Sequence, residues 1–190
     1  MTQALEDLIS ACKNALNSGK PQQKITEIVT NAIADQEALK KMVGWNNRAG
    51  VEKLYVSDEI TIINFIWAPK MAFPAHNHSM WAVIGVYSGR EDNIFWRRKK
   101  NDPNGKLEAA GAKTIEAGEA VSLGKEMIHS VVNPTDTFTR ALHVYGGNFF
   151  EIERSEWDPL TLNERPYDID QILSIFESEN AIIDALGIKS

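Results

Sequence analysis

The chain has 190 residues and a formal net charge of −6, with 43% apolar and 24% charged residues. This balance is typical of one ordinary globular domain, and the acidic charge argues against a nucleic-acid partner, which would need a basic face. No stretch approaches the roughly 20 apolar residues of a membrane-spanning helix, and the single cysteine, Cys12, excludes an internal disulfide. We therefore expect a cytoplasmic protein without a membrane partner.

Residues 1–45 are predicted to form a helical extension. Apolar residues recur at helical spacing from Leu5 to Leu16, and again from Ile25 to Leu39. The polar segment around Gly19 interrupts the two runs. We expect an antiparallel helix pair that packs on the rest of the chain, with Cys12 on its apolar side as a buried, inert thiol.

Residues 53–150 show the alternation and the regular turns of an antiparallel barrel or sandwich. Residues 60–67 are apolar at nearly every position, which predicts a strand buried on both faces. Further strands are expected at residues 80–87, 93–98, 113–116, 120–123, 130–133 and 137–145. A helical pattern returns at residues 166–190, so the chain reads as a single, mainly β domain of residues 1–190 with helices at both ends.

Three of the four histidines are predicted to bind one metal ion. His76 and His78 flank a single residue, so on a strand both side chains project to the same face. His129 begins another predicted strand about fifty residues later. Three imidazoles leave open positions on an octahedral metal, which suits chemistry more than a structural role. The alternative is that these are surface histidines or hydrogen-bonded core histidines.

The residues around these histidines resemble the two sequence motifs of the cupin family. Residues 74–78 with Gly89 resemble the first motif, and Gly118, His129 and Asn133 keep the spacing of the second. The resemblance implies a double-stranded β-helix, which is a jelly-roll barrel, with a metal held by His76, His78 and His129. It also implies a missing ligand, because Ala82 stands where many cupins have a metal-binding glutamate, and Glu91 and Asp92 are poorly placed to replace it.

A triad of three neutral ligands leaves the bound metal with its full double charge, so it should attract thiolates and carboxylates. Imidazole does not select one metal sharply. Fe²⁺ is expected because of the family resemblance, and Ni, Zn, Mn or Cu would also fit the ligands.

The residues around the fourth histidine, His143, resemble one particular group of cupins. Ala141, His143 and Tyr145 follow the second motif where thiol dioxygenases carry Ser-x-His-x-Tyr. Those cupins use a three-histidine ferrous site to add both atoms of O2 to the sulfur of a small thiol. The resemblance implies that His143 orients Tyr145 over the metal and that both are catalytic. Ala141 departs from the family's serine. The alternatives are a hydrogen-bonded core histidine and a tyrosine that only lines the barrel.

Three residues are candidates for binding the substrate, which is expected to be small, anionic and possibly a thiol. Lys53 lies where these enzymes have an arginine, but lysine lacks the planar fork that clamps a carboxylate. Arg140 or another arginine is the alternative, and Trp81 is an aromatic residue that would shape the cavity. A solvated Lys53 and a purely structural Trp81 stay open.

Two other functions remain open. The chain would be a metal-dependent lyase, isomerase or decarboxylase if the metal acts as a Lewis acid. It would be a non-enzymatic module if the barrel only binds a small ligand. A homodimer is expected because cupins often form dimers, and not because any residue of this sequence predicts one.

Overall fold

The computed structural model describes residues 2–187. The helices are α1 (Gln3–Leu16), α2 (Pro21–Ala34), α3 (Gln36–Val43) and α4 (Ile169–Leu186). The strands are β1 (Gly50–Val56), β2 (Thr61–Trp67), β3 (Ala72–Asn77), β4 (Ala82–Ser88), β5 (Arg90–Arg98), β6 (Leu107–Glu116), β7 (Ala120–Leu123), β8 (Ile128–Val132), β9 (Thr139–Tyr145), β10 (Ser155–Trp157) and β11 (Glu164–Pro166).

The strands form two antiparallel sheets with the order of a jelly roll. One sheet runs β1-β2-β9-β4-β7 and the other β11-β10-β3-β8-β5-β6. From β2 to β9 the chain alternates between the two sheets, except at the β5–β6 hairpin, and this alternation is the jelly-roll topology. The predicted fold class, mainly β with a double-stranded β-helix and helices at both ends, is confirmed.

Strand β2 lies between two apolar layers, as its sequence predicted. All seven of its residues are buried. Ile63 and Phe65 face the inside of the barrel, whereas Ile62 packs in the layer beneath the N-terminal helices. The helices come so close that a Cβ added at Gly85 of β4 would lie 2.5 Å from Cγ1 of Val29 on α2. The helical extension therefore covers the outer face of one sheet, and its apolar side chains do not belong to the cluster that fills the barrel interior.

The helical segment at the N-terminus contains three helices, so the prediction of one continuous helix from Ile25 to Leu39 is wrong. Helix α2 ends at Ala34, and the side chain of Asp35 accepts a hydrogen bond from the backbone N–H of Ala38. This side-chain cap begins a new helix where the apolar spacing alone suggested continuity.

Some strand bounds also differ from the predictions. Strand β6 begins at Leu107 instead of residue 113, and β4 begins at Ala82 instead of residue 80. The short strands β10 and β11 were not predicted. Strands of three residues carry too few side chains to show an alternation, and the pairing of β10 with β3 and of β11 with β10 depends on the fold.

Helix α4 closes one end of the barrel. It begins at Ile169, because the Asp168 side chain accepts hydrogen bonds from the N–H groups of Asp170 and Gln171. Phe176 packs against the aromatic rings of Trp67 and Phe73, with centroids 5.6 and 6.0 Å apart. No helix within residues 2–187 is long and apolar enough to cross a membrane.

Candidate metal centre

His76, His78 and His129 meet inside the barrel. His76 lies on β3 directly opposite His129 on β8, and His78 follows the last residue of β3. One ring nitrogen from each of the three lies within 4.8 Å of the others. All three side chains are buried, with at most 5% of the residue surface exposed. The structure therefore brings together the three histidines that the sequence pattern selected.

Hydrogen bonds orient two of the imidazoles with their Nε2 atoms toward one point. Nδ1 of His76 lies 2.9 Å from the carbonyl oxygen of Pro74, and Nδ1 of His129 lies 2.8 Å from Oδ1 of Asn93. Both partners are acceptors, so we assign the proton to Nδ1 in each ring and a lone pair to Nε2. Such outer partners are typical of metal-binding histidines.

The distance between two of these nitrogens fits a shared ion. Nε2 of His129 lies 3.3 Å from Nε2 of His78. Two nitrogens bound at about 2.1 Å to one ion lie about 3.0 to 3.4 Å apart in octahedral or tetrahedral geometry. A cation between the two atoms would also remove the repulsion between their lone pairs. The donor set therefore fits a divalent transition metal, and imidazole alone does not choose among Fe, Ni, Zn, Mn and Cu.

Burial keeps the three imidazoles neutral. Loss of solvation lowers the pKa of His76 to about 4 and the pKa values of His78 and His129 well below the ordinary 6.5. The neighbouring guanidinium of Arg154 acts in the same direction on His76 and His78. Neutral imidazole is the form that binds a metal, so the site is ready to bind at neutral pH without first releasing protons.

The structure also brings His143 and Tyr145 to this site. Both lie on β9 and face the inside of the barrel, where Nδ1 of His143 is 2.9 Å from the hydroxyl oxygen of Tyr145. The ring of Tyr145 lies 5.1 Å from the ring of His78, measured between centroids. Burial raises the pKa of the Tyr145 phenol well above its usual value, so the phenol is neutral. The predicted pair is therefore in contact with the triad.

These five side chains surround a cavity of about 20 Å³, which is enough for roughly one water molecule. Its remaining walls are mostly apolar and come from both sheets, from the segment after β9 and from α4. They are Val51, Phe65, Trp67, Phe73, Val131, Phe149, Tyr167, Ile169 and Ile172.

Glu91 is a buried carboxylate that the sequence analysis did not place at the site. It is fully buried inside the barrel, where Oε1 accepts a 2.7 Å hydrogen bond from Nε1 of Trp67 and lies 3.8 Å from Nε2 of His143. It is not one of the groups that converge on the triad. The signal that could have found it is the alternation along β5, because Glu91 shares a strand face with Asn93, the partner of His129.

Arg154 lies beside the cavity and was also missed. Its guanidinium carbon is 4.1 Å from the centroid of the Phe149 ring and 3.9 Å from that of Tyr167, and both rings line the cavity. Arg154 is 9% exposed and forms no ion pair within residues 2–187. An open cleft of about 830 Å³ is lined by both Arg154 and Tyr167. The residue belongs to an irregular segment, where sequence periodicity carries no information.

The structure does not bring the three predicted substrate-binding residues to the cavity. Lys53 is exposed, with Nζ 3.9 Å from the centroid of the Phe150 ring. The guanidinium of Arg140 lies against Trp45 and donates to the carbonyl of Asn46. Trp81 packs in the layer beneath the N-terminal helices. A role of Lys53, Arg140 or Trp81 in binding substrate stays a prediction.

No protein-family model matches the chain. Similar solved structures include an RmlC-like cupin family protein with a double-stranded β-helix fold from Methanocaldococcus jannaschii (12% identity, TM-score 0.45, covering 56% of this chain and 86% of that one). A Cupin 2 conserved barrel domain protein from Salinispora arenicola matches with 21% identity and a TM-score of 0.40 over 53% of this chain and 77% of that one. An oxalate oxidase in complex with the substrate analogue glycolate matches with 17% identity and a TM-score of 0.41 over 54% and 53%. Each likeness covers little more than half of this chain.

Proposed function

We propose that this chain is a metal-dependent enzyme that acts on a small anionic molecule, and specifically a non-haem iron dioxygenase that oxidises the sulfur of a small thiol. The observation that carries the proposal is the set of three buried, neutral imidazoles that converge on the cavity where the Tyr145 hydroxyl also ends. The overall reaction converts a thiol and O2 to a sulfinic acid, so both oxygen atoms enter the product and no other reductant is needed.

The charge of the site favours an anionic substrate. The three ligands are neutral, and Ala82, which is buried beside Tyr145 in the β4–β9 pairing, offers no donor atom. Ferrous iron, when bound, supplies the redox chemistry of dioxygen activation and a Lewis-acid position for a thiolate. Because no carboxylate within residues 2–187 converges on the triad, the charge of the ion is left for the substrate to compensate.

His143 and Tyr145 have separate roles in this proposal. Tyr145 presents a neutral hydroxyl beside His78, where it can form a hydrogen bond with the substrate and exchange a proton with it. His143 holds that hydroxyl through its Nδ1 atom. The apolar side chains of Phe65, Phe73 and Phe149 exclude bulk water, which strengthens these polar contacts.

Arg154 is the side chain that we propose for binding the substrate carboxylate. A cavity of about 20 Å³ does not hold a thiol of several heavy atoms, so the substrate would displace Tyr167, which lines both the cavity and the open cleft. Nε of Arg154 is buried without a hydrogen-bond partner among the described residues, so the edge of the guanidinium has a donor to offer once Tyr167 has moved off its face. Guanidinium groups bind carboxylates through two parallel hydrogen bonds, which lysine cannot do.

The direct test is oxygen uptake after loading with ferrous iron. The purified protein and a His76→Ala control are loaded anaerobically and then mixed with oxygen and cysteine, cysteamine or 3-mercaptopropionate. We expect uptake of one O2 per sulfinic acid formed with at least one acidic thiol, and none with the control. If no thiol consumes oxygen faster with the native protein than with the control, the dioxygenase proposal is wrong.

A second candidate is a reaction in which the metal acts only as a Lewis acid, such as a lyase, isomerase or decarboxylase reaction. The observation that favours it is the donor set, because three imidazoles do not select iron and hold zinc at least as tightly. His143 and Tyr145 would then serve as acid and base. Turnover of a carboxylate substrate by zinc-loaded or manganese-loaded protein without oxygen would support this candidate over the dioxygenase.

A non-enzymatic binding module is the third candidate, and the small size of the cavity favours it. Metal analysis separates it from both enzymes. If the native protein takes up no more transition metal than His76→Ala after supplementation, both enzyme proposals fail.

A further inference from the structure

Glu91 is held in an unusual environment for a carboxylate. Strand β5 directs it into the barrel, where none of its surface is exposed. Oε1 accepts one hydrogen bond, from Trp67, and Oε2 has no hydrogen-bond partner among the described residues. A buried carboxylate with an oxygen left without a partner is costly, so its presence calls for a physical explanation.

The neighbour is His143. Its Nδ1 atom contacts the Tyr145 hydroxyl, while its Nε2 atom is buried without a hydrogen-bond partner in the described part of the chain. The group that faces this Nε2 atom is Glu91, with Oε1 3.8 Å away. A small rotation of either side chain would bring the two atoms into hydrogen-bond distance.

The identities of these groups decide where the histidine proton lies. A neutral imidazole carries one N–H donor and one acceptor nitrogen, and a carboxylate only accepts. If Nε2 carries the proton, it points at Glu91, and Nδ1 must accept from the Tyr145 hydroxyl. If Nδ1 carries the proton, Nε2 presents a lone pair to the Glu91 oxygen, and the two repel each other.

We propose that Glu91 is a positioning residue that holds His143 as the Nε2–H tautomer, so that the Tyr145 hydroxyl donates a hydrogen bond to Nδ1 and turns its oxygen lone pairs toward the triad. Glu91, His143 and Tyr145 then form a directional chain of the kind in which a carboxylate orients a histidine that serves a hydroxyl group. The consequence for turnover rests on the proposed function, whereas the tautomer does not.

This chain changes what Tyr145 offers to a ligand in the cavity. A phenol whose proton is directed to His143 acts first as a hydrogen-bond acceptor toward the substrate. Its proton can pass to His143, because the positive charge formed there lies next to the Glu91 carboxylate. Ala141 lies two residues before His143 on the same face of β9 and has no polar atom that could hold the imidazole. Glu91 is therefore the third member of the hydrogen-bonded chain with His143 and Tyr145.

The test reads the tautomer of His143 in the metal-free protein from the nitrogen chemical shifts of its ring. We expect a protonated Nε2 and an unprotonated Nδ1 in the native protein, and a mixture or the reverse in Glu91→Gln, whose amide can also donate to Nε2. Glu156→Gln is the matched control, because Glu156 is also a buried carboxylate but pairs with Arg165, 2.7 Å away. This control should keep the native tautomer.

Protonated Nδ1 in the native protein would overturn the proposal, as would an unchanged tautomer in folded Glu91→Gln. The native spectrum can overturn the proposal even if the variant does not fold. In the iron-loaded protein, Glu91→Gln should lower kcat by about tenfold to a hundredfold with KM unchanged, and Glu91→Asp should restore part of it. If no thiol is oxidised at all, the proposed function fails, but the tautomer measurement still decides the role of Glu91.

Discussion

Oδ1 of Asn93 accepts a hydrogen bond from Nδ1 of His129 at 2.8 Å, inside the barrel and away from solvent. The two residues lie on neighbouring strands, β5 and β8, and this bond holds the Nε2 lone pair of His129 toward the other two histidines. The geometry of the triad therefore depends on a residue that would not itself contact the metal.

We expect Asn93→Ala to weaken metal binding by about tenfold to a hundredfold, because His129 would lose the partner that sets its tautomer and ring orientation. The measurement is a competition titration with a chelator of known affinity. Asn180→Ala is the control, since Asn180 is also buried but bonds the backbone of Ala49, far along the chain from the triad. Equal metal affinities in the native protein and Asn93→Ala would contradict the prediction.

We expect the metal-free protein to lose stability as the pH falls from about 6.5 toward 4. The folded-state pKa of His76 is lowered to about 4, so below pH 6.5 the unfolded chain binds a proton that the folded chain does not. The free energy of unfolding is highest above the pKa of this histidine in the unfolded chain. As the pH falls below that pKa, the free energy declines by up to about 1.4 kcal/mol per pH unit for this one histidine. Denaturant unfolding at several pH values measures the slope.

The His76→Gln variant is the comparison for this slope. It lacks one of the buried titrating groups, so its free energy of unfolding should depend less steeply on pH between 6.5 and 4. The same slope in both proteins would show that His76 does not take part.

We expect Arg154→Gln to raise KM for 3-mercaptopropionate and to leave KM for cysteamine, which has no carboxylate, nearly unchanged. Loss of a charged hydrogen bond worth about 1.5 to 3 kcal/mol corresponds to a rise of roughly tenfold to a hundredfold. Arg154→Lys should recover only part of the affinity, because lysine lacks the planar fork. Steady-state oxygen uptake measures each value.

Lys53→Gln is the rival variant for the same assay. Lys53 is exposed and lies over the ring of Phe150, so the structure gives no reason for it to change KM. If Lys53→Gln raises KM for the acidic thiol and Arg154→Gln does not, the assignment from sequence is right and ours is wrong.

We expect the Cys12 thiol to be unreactive in the folded protein. It lies on α1 and is fully buried in the apolar layer that the N-terminal helices share with the sheet beneath them. Burial raises its pKa to about 12, so almost no thiolate exists at pH 8. A thiol reagent such as 5,5′-dithiobis(2-nitrobenzoic acid) should release one equivalent of product only after denaturant is added. Rapid labelling without denaturant would contradict the buried position.

The amino-acid sequence predicted much of the fold because local patterns carry it. The period of the apolar residues separated the helical ends from the β region, and the continuous apolar run of β2 predicted its burial on both faces. The break at Asp35 was missed, since a side-chain cap depends on one residue and leaves the apolar spacing unchanged.

At the site, the sequence alone selected His76 with His78 and His143 with Tyr145, because residues two apart on a strand share a face whatever surrounds them. The groups that contact these side chains from other parts of the chain depend on the tertiary structure. Glu91 lies near His143 because two strands distant in sequence enclose one interior. Arg154 lies beside the cavity because an irregular segment places its guanidinium against the rings of Phe149 and Tyr167. Contacts of this kind depend on how sheets close and how loops pack, and no local periodicity encodes them.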